Sequence, residues 1–310
     1  MAKTGNQIIS QVQLTITMPN NQELLTDDRI LAFANEEIAA TIVPMITSLN
    51  QEYFVALEEE DTVDGEPFYD IPYRAVGRIL RDLKVRNPST GGNGANVWSC
   101  TQIYLEDASN AEWTAQNFAY HFQGDRIRLF PIPQNNTFTL LKYYFLRPNQ
   151  VVKLGDSGTI TGISGNIVDV AVVPSNLVNG AKVDFIKGLQ GNRTIAMDQT
   201  ITNVSGTQIT IADVPTDLAV GDYVSLAETS PVMQIPDDFF NLLVYLTASR
   251  CLDAIGDLEQ KKVIDESIPS KRRAMEMLIA PRNQGEKIKI VNRSGLLRGN
   301  RNAFYRGVLR

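Results

Sequence analysis

A duplication occupies the middle of the chain. Shifted by 41 residues, the stretch TITGISGNIVDVAVVPSNLVNGAKVDFI from Thr159 aligns without a gap to TITNVSGTQITIADVPTDLAVGDYVSLA from Thr200. The Ser164-Gly165 and Ser205-Gly206 turns coincide, as do Pro174 and Pro215, Leu177 and Leu218, Gly180 and Gly221, and Val183 and Val224. Self-similarity at a fixed spacing marks a repeated structural unit. Each copy reads as strand, Ser-Gly turn, strand, Pro-x-x-Leu-x-x-Gly connection, strand. One copy alone buries too little apolar surface to stand. The two are therefore expected to pair into a small barrel or sandwich with pseudo-twofold symmetry, a β module at 151–229.

The flanks read as helices and short strands. Ile30, Ala34, Ile38, Ile42, Met45, Ile46, Leu49 and Tyr53 recur at helical spacing. They predict a long helix over 26–60, with Asp27 and Asp28 favouring its positive end and Pro44 kinking it or ending its first half. The acidic run 58–61 then reads as a solvated helix end. Ile71-Pro72 predicts a second, shorter helix with Val76, Ile79, Leu80 and Leu83 on its apolar side. In that helix Arg74, Arg78 and Arg81 would share one face, either solvated or a contact surface. The Ser89-Thr-Gly-Gly-Asn-Gly stretch lacks the Gly-Lys-Ser/Thr ending of a phosphate cradle and reads as a plain loop. Short strands are predicted at 97–105, 117–122, 126–130 and 137–145, with a hairpin turn at Gln123-Gly124-Asp125. Helix returns after Pro231. Residues 239–255 are apolar nearly all round, which implies deep packing, and Gly256 is the stop. A further helix from 257 towards 279 is expected to break near Pro269. The expected class is α+β: a helical domain with β-hairpins (1–150), the inserted β module (151–229), C-terminal helices (230–281) and an extended arm (282–310).

Charge divides the chain at that arm. Residues 282–310 carry eight Lys or Arg and one Glu, a net of +7; the first 281 hold 21 basic and 34 acidic residues, a net of −13. The arm also carries apolar anchors, among them Ile288, Ile290, Leu296, Leu297, Phe304, Tyr305 and Leu309. A segment that orders on binding needs such side chains to offset its lost entropy, so the arm reads as a grip for a partner. The acidic body would repel nucleic acid, which suits a wall past which DNA slides without being held.

Catalytic machinery is hard to assemble from these residues. His121 is the only histidine and lies in an alternating strand, where a structural or surface role is expected. Cys100 and Cys251 are far apart and in no ligand spacing, so neither a disulfide framework nor a zinc site is expected. No enzyme activity, metal or cofactor is expected. The first twenty residues lack the basic-then-apolar pattern of an export signal, which fits synthesis in the cytosol. The apolar stretch 239–248 is too short to span a bilayer, so no membrane partner is expected.

Three blocks, in order, resemble the head-to-tail adaptor (connector) proteins of tailed bacteriophages. The first is RILAFANEEIAATIVPMITSLNQEYFV (29–55). The second is IPYRAVGRILRDL (71–83), followed by QGDRIRLFPIP (123–133) and YYFLRPNQVV (143–152). The third is QIPDDFFNLLVYLTASRCLDAIGD (234–257), followed by the basic stretch containing IVNRSGLLR (290–298). The resemblance implies a homo-oligomeric ring of about twelve subunits beneath the portal vertex, with helices forming the ring. It also implies a C-terminal arm docked on the portal and a lower face that receives tail, nozzle or fibre proteins. DNA would pass through without specific binding. The protein would belong to the virion neck, after assembly in the host cytoplasm. By position, Arg298, Arg301, Phe304, Tyr305, Arg306 and Arg310 are the portal-contact candidates, and Arg74, Arg78 and Arg81 are candidates for contacts between subunits or with the portal. The alternative is a tail nozzle or baseplate component whose β module meets fibres.

Overall fold

Helices from both ends of the body share one layer, and the chain between them is almost entirely strand. The computed structural model describes residues 3–17, 24–87, 97–106, 118–134, 138–188 and 193–279. The arm with its six candidate residues lies outside the described residues, and so does the 89–94 loop.

The first helix, α1 (Gly5–Thr15), opens on a capping box. The Thr4 hydroxyl accepts from the Gln7 N–H, and the Gln7 side chain accepts from the Thr4 N–H. Capped by Thr26, α2 (Asp27–Glu37) continues through a π-helical turn, Ile38–Ile42, into α3 (Val43–Leu49). Pro44 sits in the first turn of α3, directly after the widened turn, so the rod absorbs the missing N–H without breaking. After the barrel come α4 (Phe240–Ile255), closed by the left-handed Gly256, and α5 (Leu258–Ile279). Contrary to expectation α5 is continuous across Pro269. That proline is on the exposed side, where water can take the carbonyl it frees. Ile8, Val12, Ile30, Ala34, Ile42, Ile46, Leu242, Leu243 and Cys251 form the helical core. The Asp27–Leu49 rod is long and apolar enough to cross a membrane, but half of that stretch is buried inside the protein.

The rod stops at Leu49, well short of residue 60. From Val55 the chain is β1 (Val55–Asp61), paired along its length with β8 (Thr139–Leu146). The acidic run is therefore a strand and not a helix end. Alternation puts Glu58 and Glu60 on one side, where the buried Lys142 ammonium pairs with both and donates to the Asp70 carbonyl; Glu59 on the other side pairs with Arg86.

The predicted helix at 71–83 is also a strand, β3 (Ala75–Arg86). Leu83 and Val85 alternate into a core while Asp82, Lys84 and Arg86 point away, and β8 and β4 (Val97–Ser99) supply backbone partners on either side. Gly77 and Arg78 have φ of +67° and +54°, which no α-helix accommodates. A second sheet, β2 (Phe68–Asp70), β7 (Arg126–Phe130), β6 (Ala119–Gln123) and β5 (Thr101–Gln102), faces the first one (β1-β8-β3-β4). Leu83, Val85, Phe118, Ile127, Leu129, Leu140 and Tyr144 fill the space between them.

The duplicated region is a closed barrel. Its strands are β10 (Gly158–Ser164), β11 (Ile167–Val170), β12 (Lys182–Ile186), β13 (Thr194–Ser205), β14 (Gln208–Ile211) and β15 (Tyr223–Leu226), after a short β9 (Gln150–Val151). Around the barrel the order is β10-β11-β14-β13-β12-β15. The repeat dictates this pairing. Val168 faces Ile209, its own counterpart in the other copy, and Asp184 faces its counterpart Ser225. A pseudo-twofold axis therefore passes through both pairs. Bulges fall at equivalent places, Ile160/Gly162 and Ile201/Asn203, and the two Ser-Gly turns share φ near +60° at Gly165 (+57°) and Gly206 (+61°). Ile160, Val168, Phe185, Ile201, Ile209 and Val224 fill the interior.

Candidate functional site

The chain enters and leaves the barrel side by side. β9 runs parallel to β16 (Thr229–Ser230), and the N-terminus closes over them through a Thr4–Val232 bridge. Gly5 is required at this neck, because a Cβ there would lie 2.2 Å from the Val152 carbonyl oxygen. Asn35 of α2 ties the neck to the helical layer: its amide donates to the Val151 carbonyl at 3.0 Å and accepts from the Val151 N–H at 2.7 Å.

At the neck the barrel is bolted to the sandwich by Arg74. Its guanidinium donates to both oxygens of Asp184 (2.7 and 2.8 Å), to Asp198 Oδ1 (2.8 Å) and, through Nε, to the Tyr73 hydroxyl (2.9 Å). Asp184 is fully buried and also accepts from the Asn149 amide (2.7 Å) and from the backbone N–H groups of Asp198 and Glu228 (both 3.0 Å). Burial opposes charge on Arg74, but the bonds to Asp184, Tyr73 and Asp198 outweigh it and hold the proton more firmly than usual. A forked, fully hydrogen-bonded pair of this kind fixes geometry as well as energy.

The bolt uses only one side of the duplicated barrel. Asp184 and Asp198 are 41 positions from Ser225 and Ser157, and there the two serine hydroxyls hydrogen-bond each other. Asp184 and Asp198 were not among the candidates read from the sequence. The legible signal is an Asp between Val183 and Phe185 inside a strand that otherwise reads as buried, where the other copy has serine.

Beside the bolt lies a cleft of about 490 Å³, walled by Asn35, Glu36, Ile38 and Ala39 on the rod and by residues 74–77, Asn149 and Glu228 on the β side. Its acidic groups are engaged: Glu36 pairs with Arg250 and Glu228 with Arg147. The π-helical turn on its wall is of a kind often found at functional sites. What the cleft offers is shape and hydrogen-bonding capacity.

The three arginines of the 71–83 block are not on one face. Arg74 is buried in the neck at 3% exposure, and Arg81 forks onto Glu52 (2.6 and 3.0 Å) and lies over the Phe145 ring. Arg78 stands on a bulge. Between the Ala75–Leu146 and Leu80–Tyr144 pairs β3 advances five residues while β8 advances two, so 76–79 are thrown outward. Val76 (37%) and Ile79 (57%) are exposed there, and Arg78 has no hydrogen bond or ion pair among the described residues.

His121 on β6 is buried, stacked on Phe130, and its Nδ1 has no partner. Burial first, then the charge of Arg128, hold it below the ordinary histidine range. Burial pushes the Cys100 and Cys251 thiols up to about 12, with Asp82 adding to the effect at Cys100, which leaves both protonated. Among the described residues no three His, Cys, Asp or Glu side chains are gathered to hold a metal. No protein-family model and no curated protein sequence matches the chain.

Proposed function

We propose that this chain is a structural virion protein of a tailed bacteriophage, a head-to-tail adaptor that forms a ring under the portal and surrounds the DNA exit path. The observation that carries the reading is how basic charge is distributed along the chain. In the body Arg74, Arg81, Arg86, Arg126, Arg147, Arg193, Arg250 and Arg272 are each paired with a carboxylate of the same chain. The eight basic residues of 282–310 follow this net acidic body, in which most of the described arginines are held by carboxylates of the same chain. The arm, with Arg298, Arg301, Phe304, Tyr305, Arg306 and Arg310, is the part equipped to grip an acidic or apolar partner surface, the portal. Surplus carboxylates on the body keep phosphates from sticking. Rigidity suits the role, since the bolt, the Asn35 tie and the paired β9 and β16 fix barrel, sandwich and helices as one block.

A second reading, a nozzle or baseplate component, draws on the exposed hairpin tips at 164–166 and 205–207, which could meet fibres. One experiment separates the two. The full chain and a 1–281 truncation are mixed with the portal of the same phage and sedimented. An adaptor gives a portal complex that the truncation loses and that weakens with added salt. A complex indifferent to truncation moves the interface into the body, and no complex overturns the adaptor reading in favour of the distal one.

A further inference from the structure

Open sheet edges among the described residues are short, with one exception. The edge strands β2 and β4 have three residues and β5 has two, while the closed barrel has no edge. The exception is β1, a seven-residue edge strand whose only strand partner among the described residues is β8. At its two ends the Leu146 N–H donates to the Phe54 carbonyl and the Thr62 N–H to the Phe138 carbonyl. By antiparallel alternation the even-numbered residues of β1 turn their backbone groups to β8, and Leu57, Glu59 and Asp61 turn theirs to the open side. Such a row is a template for one more strand. Leu57, 45% exposed, leaves room beside it.

Charge restricts what this edge accepts. Glu58 and Glu60 share the Lys142 ammonium and Glu59 holds Arg86, so the four carboxylates of the strand meet two cations. Asp61 accepts from the Thr139 hydroxyl. An acidic strand is repelled from such an edge and a basic one is favoured. The arm contains the complementary pattern: Lys287-Ile288-Lys289-Ile290 alternates a cation with a β-branched side chain, which is strand periodicity. Laid antiparallel with Ile290 beside Leu57, the segment sets Lys289 beside Glu58 and Lys287 beside Glu60. Those two are non-hydrogen-bonded pairs, in which side chains come closest. Laid parallel with its lysines on the same glutamates, it would set Glu286 beside Leu57 instead.

From this match we infer a contact between copies, which rests on the ring reading above: residues 287–290 of one subunit add as a strand to the β1 edge of the next. The portal candidates begin further along, at Arg298, so one arm serves two contacts, a neighbouring subunit first and the portal beyond it. Edge and arm are different surfaces, so each copy offers both and the contact repeats head to tail. Such heterologous contacts close into rings when the rotation per step allows.

The test mixes two full-length chains, one carrying Leu57→Cys and the other Ile290→Cys, fills portals with the mixture and oxidises it. Opposed residues in a hydrogen-bonded antiparallel pair lie about 5.5 Å apart, within disulfide reach. The native Cys100 and Cys251 are buried, and Leu57 is exposed, so folding is retained, which a thermal melt checks. The disulfide joining the two different chains is read by mass under denaturing conditions. Its yield is expected to be at least tenfold above that of a control pair in which Leu258→Cys, also exposed, replaces Leu57→Cys. Adding Lys287→Glu and Lys289→Glu to the Ile290→Cys chain should return the yield to the control level, and a yield that they leave unmoved would overturn the charge match. A mixed yield no higher than the control, or a bridge formed only within a chain that carries both cysteines, would overturn the contact and leave the adaptor reading standing. If the portal does not bind, the adaptor reading fails by itself and the same oxidation is run on the concentrated chains alone. A mixed disulfide there supports the contact independently, and its absence overturns it.

Discussion

The two copies of the repeat share a backbone and differ in what they hold. The Ser-Gly turns, the bulges and the Pro-x-x-Leu-x-x-Gly connections fall at equivalent positions in both copies, and Val168–Ile209 and Asp184–Ser225 pair counterparts across the axis. On the outer face, one side of the axis has Asp184 of the first copy and Asp198 of the second around a buried arginine, and the other side has their counterparts Ser225 and Ser157 bonded to each other. Inward positions are constrained twice, by the barrel interior and by symmetry, so they stay apolar in both copies. Outward positions answer only to whatever the barrel is docked against. A symmetric module acquires a single attachment by diverging at residues that its own fold does not need.

That comparison can be broken most severely at Asp184. Asp184→Ala should lower stability by about 3–5 kcal/mol in chemical denaturation, because Arg74 is left buried without its main partner. A loss comparable to that of an exposed pair would mean that the neck is wet and the bolt weak. The shared backbone predicts a matched, smaller effect: Gly165→Ala and Gly206→Ala should each cost about 1 kcal/mol, since both sit at positive φ with open space around them. A clear difference between them would show that the copies are not equivalent where they appear so. Ser225→Ala should cost about 1 kcal/mol, the price of a neutral buried hydrogen bond, well below its aspartate counterpart. Smallest of all should be the combined change Arg74→Met, Asp184→Ser and Asp198→Ser. It makes the charged side resemble the serine side and should restore stability to within about 1 kcal/mol of the unaltered chain.

The barrel was legible in the sequence because a repeat carries its own alignment, and α4 because its apolar residues leave no polar face. The 71–83 block was not. Leu80 and Leu83 fit helical spacing while Leu83 and Val85 fit alternation, and the deciding partner, β8, lies some sixty residues away. The 55–61 strand was hidden for the same reason, since consecutive acids look like a solvated helix end until Lys142 and Arg86 appear on opposite sides of the sheet. α1 escapes a search for long apolar periodicity because it is short and polar on its outer side. Its Thr4-x-x-Gln7 capping box is nevertheless written in the chain. At the candidate site, Arg74 was visible as a residue but not in its role, which depends on a neck assembled from distant segments, and the bulge that carries Arg78 left no mark in the spacing.

The central claim is that copies of this chain form a ring on a portal. The most direct measurement is the native mass of the portal complex, with the portal's mass subtracted and the remainder divided by the 34.4 kDa of one chain. The account predicts a single sharp stoichiometry, as a closed ring requires, which the resemblance to adaptor proteins sets at about twelve copies. One or two copies per portal, or a broad unclosed distribution at saturation, would contradict it.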